Sequence, residues 1–215
     1  LQRLIMENSS SANIKSAIKT FDLWAQKGKD EGMAVAHESS VNQMLSFALP
    51  RLRKGFKFID AGCGNGWVVR KVTEEPSCEY AIGIDGARSM IEKARDIDPL
   101  GEYICADLLD WKPKIKVDIV HTMEVLYYFK DPMLILKKLY SDWLLPGGRL
   151  ICGLDYYFEN IDSHSWQKDL GVVMTLLSKK EWSEALKKTG FTKVRSWVSE
   201  SKSNKNGTLI VTGIV

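Results

Sequence analysis

From Phe56 onwards, short β-forming runs alternate with helix-patterned segments, and this alternation is the strongest constraint on the fold. Five predicted strands read FKFIDA, YAIGID, YICAD, VDIVHTM and GRLICGLDYY. Helices are predicted between them, at about 67–74, 87–96 and 132–144. Such alternation builds right-handed βαβ units, so the chain is predicted to be an α/β protein with a doubly wound, mostly parallel sheet.

The segment before residue 55 follows a helical period instead. Apolar residues at that spacing predict one amphipathic helix over about 14–24 and a second over about 41–49. Residues 26–37 lie between them and contain two glycines, so we expect a mobile loop there. Residues 1–54 are therefore predicted to form a helical cap on the core.

Capping and turn signals mark the C-terminal part of the chain. Ser178 and Glu181 form a capping box for a helix that ends before Gly190. Two further β runs follow, and Asn206-Gly207 joins them as a hairpin. One of these last strands must therefore run antiparallel to its neighbour.

Composition narrows the class of protein. Basic residues exceed acidic ones by 30 − 27 = 3, and the charges are spread along the chain, which gives little support for nucleic-acid binding. The four cysteines are far apart and form no C-x-x-C, as expected of reduced thiols. No stretch is long and apolar enough to span a bilayer and none has a signal-peptide pattern, so we expect a cytoplasmic protein. Without repeats or low-complexity linkers, we expect one domain over 1–215, with its core at 55–215.

A glycine-rich turn follows the first strand, with Gly62, Gly64 and Gly66 at alternate positions. Glycines this close together indicate a backbone that turns sharply or approaches a ligand closely. A dinucleotide-binding turn needs a third glycine where this chain has Trp67, and no P-loop G-K-[ST] follows. Because ligands of open α/β sheets bind beyond the carboxyl ends of the strands, the turn is predicted to border a nucleotide-like ligand.

Acidic residues end three successive predicted strands: Asp60, Asp85 and Asp107. A carboxylate at the second position can accept both hydroxyls of a ribose, and one at the third can accept from an exocyclic amine such as adenine N6. NAD enzymes also hold the ribose with an acidic residue, so a nicotinamide-dependent oxidoreductase stays open on these residues alone.

Five stretches, in order, resemble the class I S-adenosylmethionine-dependent methyltransferases of the small, minimal type. They are FIDAGCGNGW, IGIDGA, ADLLDW, VDIVHTMEVLYYFKDP and LLPGGRLICGLDYY, within about residues 56–157. The resemblance implies S-adenosylmethionine as cofactor and a seven-stranded sheet of order 3-2-1-4-5-7-6 with strand 7 antiparallel. Strand four lacks the (D/N)-P-P-(Y/F) of enzymes that methylate amino groups of adenine or glutamine, which puts those substrates in doubt.

The resemblance also implies which residues hold the cofactor. The glycine turn would approach its methionine and ribose parts, and the acid before the turn would orient its amino group. The end of strand two would hold the ribose, the end of strand three would frame the adenine, and the end of strand four would lie near the methionine part. These residues are Asp60, Gly62, Cys63, Gly64, Gly66, Asp85, Gly86, Asp107, Leu108, Met123 and Glu124.

A long connection after strand five, residues 154–177, is predicted to be a lid that selects the methyl acceptor, because structureless loops of that length are uncommon. Asp155, Tyr156 and His164 are its candidate acceptor-binding or proton-handling residues. The three histidines of the chain have no metal-ligand spacing, so no metal is expected. His121 is interpreted as a satisfied strand residue and His37 as a helix-terminal or solvent residue.

The leading interpretation is a methyltransferase that acts on a small molecule by in-line displacement. A protein or RNA methyltransferase is the first alternative. A nicotinamide-dependent oxidoreductase, or a non-catalytic binding module of the same fold, is the second. The methyl acceptor and the oligomeric state stay open at this stage.

Overall fold

The computed structural model describes residues 17–49, 55–199 and 206–215. Seven strands form one sheet in the order β3-β2-β1-β4-β5-β7-β6, and β7 is antiparallel to both of its neighbours. The strands are β1 (Phe56–Ala61), β2 (Cys78–Asp85), β3 (Glu102–Cys105), β4 (Val117–Met123), β5 (Leu144–Leu154), β6 (Thr192–Ser199) and β7 (Thr208–Ile214). The predicted fold class, strand order and antiparallel strand are confirmed.

Helices cover both faces of the sheet. They are α1 (17–26), α2 (Asp30–Ala48), α3 (Trp67–Thr73), α4 (Arg88–Ile97), α5 (Pro132–Lys138), α6 (Trp166–Leu170) and α7 (Lys179–Thr189). Buried apolar side chains of α2, α3 and α4 form one core cluster, and those of α5 and α7 belong to a second. No helix in the described part of the chain has the length and apolarity needed to cross a membrane.

The predicted mobile loop at 26–37 is wrong. Only residues 27–29 form a turn, because α2 begins at Asp30 and continues through the rest of that segment. The buried Asp30 carboxylate accepts hydrogen bonds from Asn65 Nδ2 at 2.8 Å and from Lys93 Nζ at 3.0 Å. Tertiary contacts thus hold the first turn of α2, where local composition favoured a loop.

The two predicted helix starts in the second half of the chain are confirmed. Asp131 accepts from the backbone N–H of Met133 at 2.9 Å, and proline occupies the first helical position of α5. Ser178 and Glu181 make the reciprocal hydrogen bonds of a capping box at α7. The strands of the predicted hairpin, β6 and β7, pair with each other. Residues 200–205 of their connection lie outside the described residues.

Strand β5 begins earlier than predicted, at Leu144 instead of about 148. Its Pro-Gly-Gly residues, 146–148, lie in an irregular stretch where the register with β4 shifts. The helix predicted over 132–144 therefore ends at Lys138, and a π turn at Leu139–Trp143 leads into the strand. The register of the parallel pair places the carboxyl end of β5 beside that of β4, where the candidate site lies.

Candidate active site

The turn after β1 depends on glycine for its backbone conformation. Gly62 and Gly64 have φ angles of +80° and +53°, a left-handed region that costs other residues about 1–2 kcal/mol. A Cβ atom on Gly62 would lie 2.2 Å from Val125, whereas one on Gly64 would meet nothing closer than Met90 Sδ at 3.9 Å. A Cβ atom at Gly64 would therefore meet its neighbours without a clash, whereas one at Gly62 would not.

Gly66 has a packing role that the sequence did not reveal. Its φ angle is +77°, and a Cβ atom there would lie 2.3 Å from the Tyr103 ring. Gly66 precedes α3, so its missing side chain lets that helix start close to β3. It does not line the cavity described below.

Asp85 ties the glycine turn to the start of α4. Its carboxylate accepts from the backbone N–H groups of Gly64 at 2.9 Å and Ala87 at 2.8 Å. Burial raises the pKa of Asp85 even though both hydrogen bonds favour the ionised form. Burial, with the nearby Asp85 and Asp60 carboxylates, also raises the pKa of the Cys63 thiol, so Cys63 is an uncharged lining residue.

The Asp60 carboxylate, which precedes the glycine turn, is hydrogen-bonded to His121. The ring Nδ1 of His121 donates to Asp60 Oδ1 at 2.7 Å, and both side chains are buried. The opposite nitrogen, Nε2, is buried and has no hydrogen-bond partner among the described residues. His121 is thus a core residue, as predicted, but only one of its nitrogens is satisfied.

A central cavity lies at the carboxyl ends of β1, β2, β3 and β4. Predicted residues that line it include Asp85, Gly86, Asp107, Leu108 and Met123. Its remaining walls come from residues outside the predicted set, among them Ala17, Ile18, Phe21, Met33, Met90, Tyr128 and Phe129. The helical period of residues 17–21 was visible in the sequence, but which element that face would cover was not.

Glu124 follows β4 and lies at the centre of the site. Its carboxylate accepts from the Tyr127 hydroxyl at 2.6 Å and from the backbone N–H of Asp155, so both oxygens have partners. Burial, and next the neighbouring Asp155 carboxylate, raise the pKa of Glu124 well above its usual value. Glu124 lines the central cavity and two adjoining ones. One of these is bordered by Asp30 and Asn65, and the other, described below, is bordered by aromatic side chains.

The three acceptor-site candidates from the sequence are not brought together. Asp155 is buried beside Glu124, with its Oδ2 atom 3.7 Å from Nδ1 of His37. Tyr156 is buried as well, and its ring centroid lies 5.5 Å from that of Tyr127. His164 is exposed, its Nε2 lies 2.9 Å from the Phe158 carbonyl oxygen, and it lines none of the three cavities.

The segment after β5 is not structureless, contrary to the argument from its length. It contains a 3-10 turn at Ile161–Ser163 and helix α6. Thr175 fixes its far end, donating from its hydroxyl to the Phe129 carbonyl at 2.7 Å. Trp166, Asp169 and Leu170 of α6 line a cavity, so the segment does border the site.

This second cavity, called the aromatic cavity here, adjoins the central one. Its lining residues are Phe21, Trp24, Met33, His37, Glu124, Tyr127, Tyr128, Trp166, Asp169 and Leu170. His37 lies within α2 and is half-buried, so the prediction of a helix-terminal or solvent residue is wrong. The sequence could not place it, because the strand end that it faces is more than 100 residues away.

His37, Glu124 and Asp155 each offer one ligand atom within 4.8 Å of the others, a spacing that a metal ion could bridge. Protein hydrogen bonds already occupy both Glu124 oxygens. We therefore interpret the group as a cluster of polar side chains in which Glu124 is hydrogen-bonded and His37 faces Asp155, instead of a metal centre.

Residues 35–196 match a family model described as a methyltransferase domain. The chain belongs to the S-adenosylmethionine-dependent methyltransferases. A solved Haloferax volcanii structure, a complex of the Trm112 methyltransferase activator with a putative methyltransferase, matches with a TM-score of 0.81 and 27% identity. That match covers 90% of this chain and 96% of the other.

Two curated methyltransferases match a smaller part of the chain than the Haloferax volcanii structure does. Trans-aconitate 2-methyltransferase of Agrobacterium fabrum is 34% identical over 102 residues, which are 47% of this chain and 38% of that protein. Malonyl-[acyl-carrier protein] O-methyltransferase of Halalkalibacterium halodurans is 28% identical over 144 residues, covering 60% of this chain and 53% of that protein. This methyltransferase chain spans about half or less of the length of these relatives.

The central cavity fits the cofactor of this family, S-adenosylmethionine. Gly62 and Gly64 line the cavity and allow close approach to the backbone, and the Asp85 and Asp107 carboxylates offer acceptors for hydroxyl and amine groups. Leu108 and Phe129 provide apolar walls for a planar base. Acidic and apolar groups suit a ligand with a sulfonium and an amino acid better than they suit a pyrophosphate.

Proposed function

We propose that this methyltransferase transfers a methyl group from S-adenosylmethionine to a small-molecule acceptor. The observation that carries the proposal is that the two cavities adjoin, with Phe21, Met33, Glu124 and Tyr128 lining both. Side chains of α1, α2 and α6 line the aromatic cavity, so an acceptor there would lie among packed helices and not along an open groove.

The chain's own residues would bind the cofactor and orient the acceptor. We propose that Asp85 holds the ribose, that Asp107 and Leu108 frame the adenine, and that Met123 and Glu124 border the methionine part. When bound, the cofactor would supply a methyl group already activated by its sulfonium, with the sulfur as the leaving group that would keep the electron pair of the C–S bond. Orientation and exclusion of water by the cavity walls can supply roughly 7–11 kcal/mol of the barrier.

A screen with isotopically labelled S-adenosylmethionine tests the proposal. The purified chain is incubated separately with a metabolite fraction and with a protein and RNA fraction, and the labelled product is identified by mass spectrometry. We expect label in a small molecule. Label confined to the macromolecular fraction would contradict the proposal.

A second candidate rests on the similarity to the Haloferax volcanii protein that binds the Trm112 activator. A protein partner of that kind would make this chain one half of a complex, and a macromolecular acceptor would then be the alternative function. Co-expression with a Trm112-type protein, followed by size-exclusion chromatography, tests for the complex. Co-elution together with labelling of protein or RNA would favour this candidate.

A further inference from the structure

The aromatic cavity is lined by carboxyl groups, among which the pKa of Glu124 is raised by burial, and by no described lysine or arginine. Glu124 and Asp169 line it, and the buried Asp155 carboxylate lies behind His37. Among the lining residues, all of which are described, none is lysine or arginine. A carboxylate placed in this cavity would meet like charges at short range, where low local dielectric strengthens repulsion.

The aromatic walls of this cavity favour a cation. Trp24 and Trp166 belong to two helices that line it, and tyrosine and phenylalanine rings complete the walls. Faces of aromatic rings attract ammonium groups, by about 0.5–1 kcal/mol when exposed and about 2 kcal/mol or more when desolvated. Lys29 already shows this attraction, since its Nζ lies 5.6 Å from the Trp24 ring centroid.

His37 lines the aromatic cavity, and Asp155 lies behind it. Nδ1 of His37 faces Asp155 Oδ2 at 3.7 Å. Asp155 Oδ1 is buried and lacks a described partner. A carboxylate on one imidazole nitrogen orients the ring and stabilises its protonated form, which leaves the other nitrogen to accept a proton.

We propose that the aromatic cavity takes a methyl acceptor that carries an amine, and that His37 accepts the proton of this amine while Asp155 stabilises the imidazolium. The inference rests on the proposed function and names its substrate class. In this step the N–H bond of the ammonium breaks, its electron pair stays on the nitrogen, and the proton bonds to Nε2 of His37. The freed pair is the nucleophile that methyl transfer needs.

The surroundings of His37 keep it able to accept a proton. Burial lowers the pKa of His37, and the Asp155 carboxylate opposes that shift. The other titratable groups that line the cavities with it are Glu124, Tyr127, Tyr128, Asp169, Asp30, Asp60, Cys63 and His121. The neutral imidazole is therefore the form present near neutral pH.

Two probes that share a phenylethyl group but carry opposite charges test the substrate class. 2-Phenylethylamine and 3-phenylpropionate are titrated by calorimetry into the protein loaded with S-adenosylhomocysteine. We expect the amine to bind at least tenfold more tightly, and we expect Asp169→Asn to weaken it while Asp162→Asn, on the exposed 3-10 turn, does not. No preference for the amine, no binding of it, or tighter binding of the carboxylate overturns the proposal.

Two further results would overturn it by revealing a different site. Lys29→Met should leave amine binding unchanged, so its loss in that variant would show that Lys29 recognises the ligand. Binding that requires Mn²⁺ and is abolished by EDTA would show that His37, Glu124 and Asp155 form a metal site. Failure of S-adenosylhomocysteine itself to bind would instead contradict the proposed function, which keeps the two failures distinct.

The role of Asp155 has a readout that does not depend on turnover. The pKa of His37 is measured by NMR in the wild type and in Asp155→Asn, with Asp162→Asn as the matched control. Because the Asp155 carboxylate raises the pKa of His37, we expect that pKa to fall in Asp155→Asn and to stay constant in the control. An unchanged pKa in Asp155→Asn overturns the pairing, whatever happens to activity.

Discussion

Glu124 combines a left-handed backbone conformation with a buried carboxyl group of raised pKa. Its φ angle is +61°, a conformation that costs a residue with a side chain about 1–3 kcal/mol. The side-chain bonds to Tyr127 and to the Asp155 backbone compensate by holding the carboxylate between the ends of β4 and β5. Strain at such a residue is common at functional sites, and here it lies where three cavities meet.

Replacing Glu124 with glutamine should remove a pH dependence of stability. Burial raises the pKa of Glu124 in the folded protein, so protonation of Glu124 adds to the free energy of unfolding. This contribution is fully present below the pKa of the unfolded chain, about 4.3, and is lost as the pH rises through the pKa of the folded protein. The wild type should therefore lose stability relative to Glu124→Gln between pH 5 and pH 8. Urea unfolding at both pH values measures this.

A matched control separates this effect from general pH sensitivity. Hydrogen bonds from Ser178 lower the pKa of Glu181, so its titration lies below its usual range. Glu181→Gln should therefore differ from the wild type by the same amount at pH 5 and pH 8. A pH-independent difference for Glu124→Gln as well would contradict the assignment.

The Gly66 position should tolerate alanine less well than an equally left-handed glycine in open space. Gly66 and Gly147 have φ angles of +77° and +81°, but only the first would place a Cβ atom against another side chain, Tyr103. Gly147→Ala should cost about 1–2 kcal/mol from backbone conformation. Gly66→Ala should cost about 1–3 kcal/mol more from overpacking. Equal midpoints in urea unfolding would show that the packing argument is wrong.

Asp85 should matter for cofactor binding more than an equivalent acid elsewhere. Asp85→Ala removes a carboxylate from the central cavity, and a lost hydrogen bond to a charged group costs about 1.5–3 kcal/mol, roughly tenfold or more in affinity. Asp118→Ala is the control, because Asp118 also accepts a backbone N–H, from Lys57 at 2.8 Å, but lies outside the cavity. Calorimetry with S-adenosylhomocysteine measures both. Equal affinities would contradict the ribose assignment.

At the scale of elements, the site is assembled from parts that are distant in sequence. α2 contributes His37, the end of β4 contributes Glu124, and the end of β5 contributes Asp155. Parallel β4 and β5 bring their carboxyl ends together, and α2 packs across β5. The position of α2 on the sheet is therefore what turns His37 from a surface residue into part of the site.

Helix α7 supports the fold without bordering the site. Its capping box satisfies backbone N–H groups at the helix start, and Trp182 and Leu186 are buried in the core. Ser178→Ala should cost about 1 kcal/mol of unfolding free energy. Affinity for S-adenosylhomocysteine should not change, and Ser141→Ala, at an exposed hydroxyl, should change neither quantity. A large loss of cofactor affinity in Ser178→Ala would show that α7 is coupled to the site.

At the scale of the whole molecule, ligand binding and folding are linked. S-Adenosylhomocysteine at 100 times its dissociation constant should raise the unfolding free energy by about 2.7 kcal/mol. NAD should leave the melting temperature unchanged, because Trp67 stands where a dinucleotide turn needs glycine. Differential scanning fluorimetry compares the two ligands, and stabilisation by NAD alone would contradict the cofactor assignment.

The sequence by itself determined the sheet and the glycine turn. Strand order followed from a resemblance carried by short local motifs, and strand periodicity, capping residues and hairpin signals act over a few residues, so they can be interpreted without tertiary contacts. The acids Asp60, Asp85 and Asp107 were placed near the site because parallel strands align their carboxyl ends. Bringing the three acids and the glycine turn to one edge of the sheet needed no knowledge of the helices.

Only the tertiary structure decided what surrounds them. The loop expected at 26–37 became α2, because Asp30 found partners in Asn65 and Lys93 on other elements. His37 lies beside Asp155, although 117 residues separate them in the chain, whereas His164, expected in the site, contacts a nearby backbone carbonyl. Packing of helices on a sheet depends on side chains far apart in the chain, and no local pattern encodes which of them will meet.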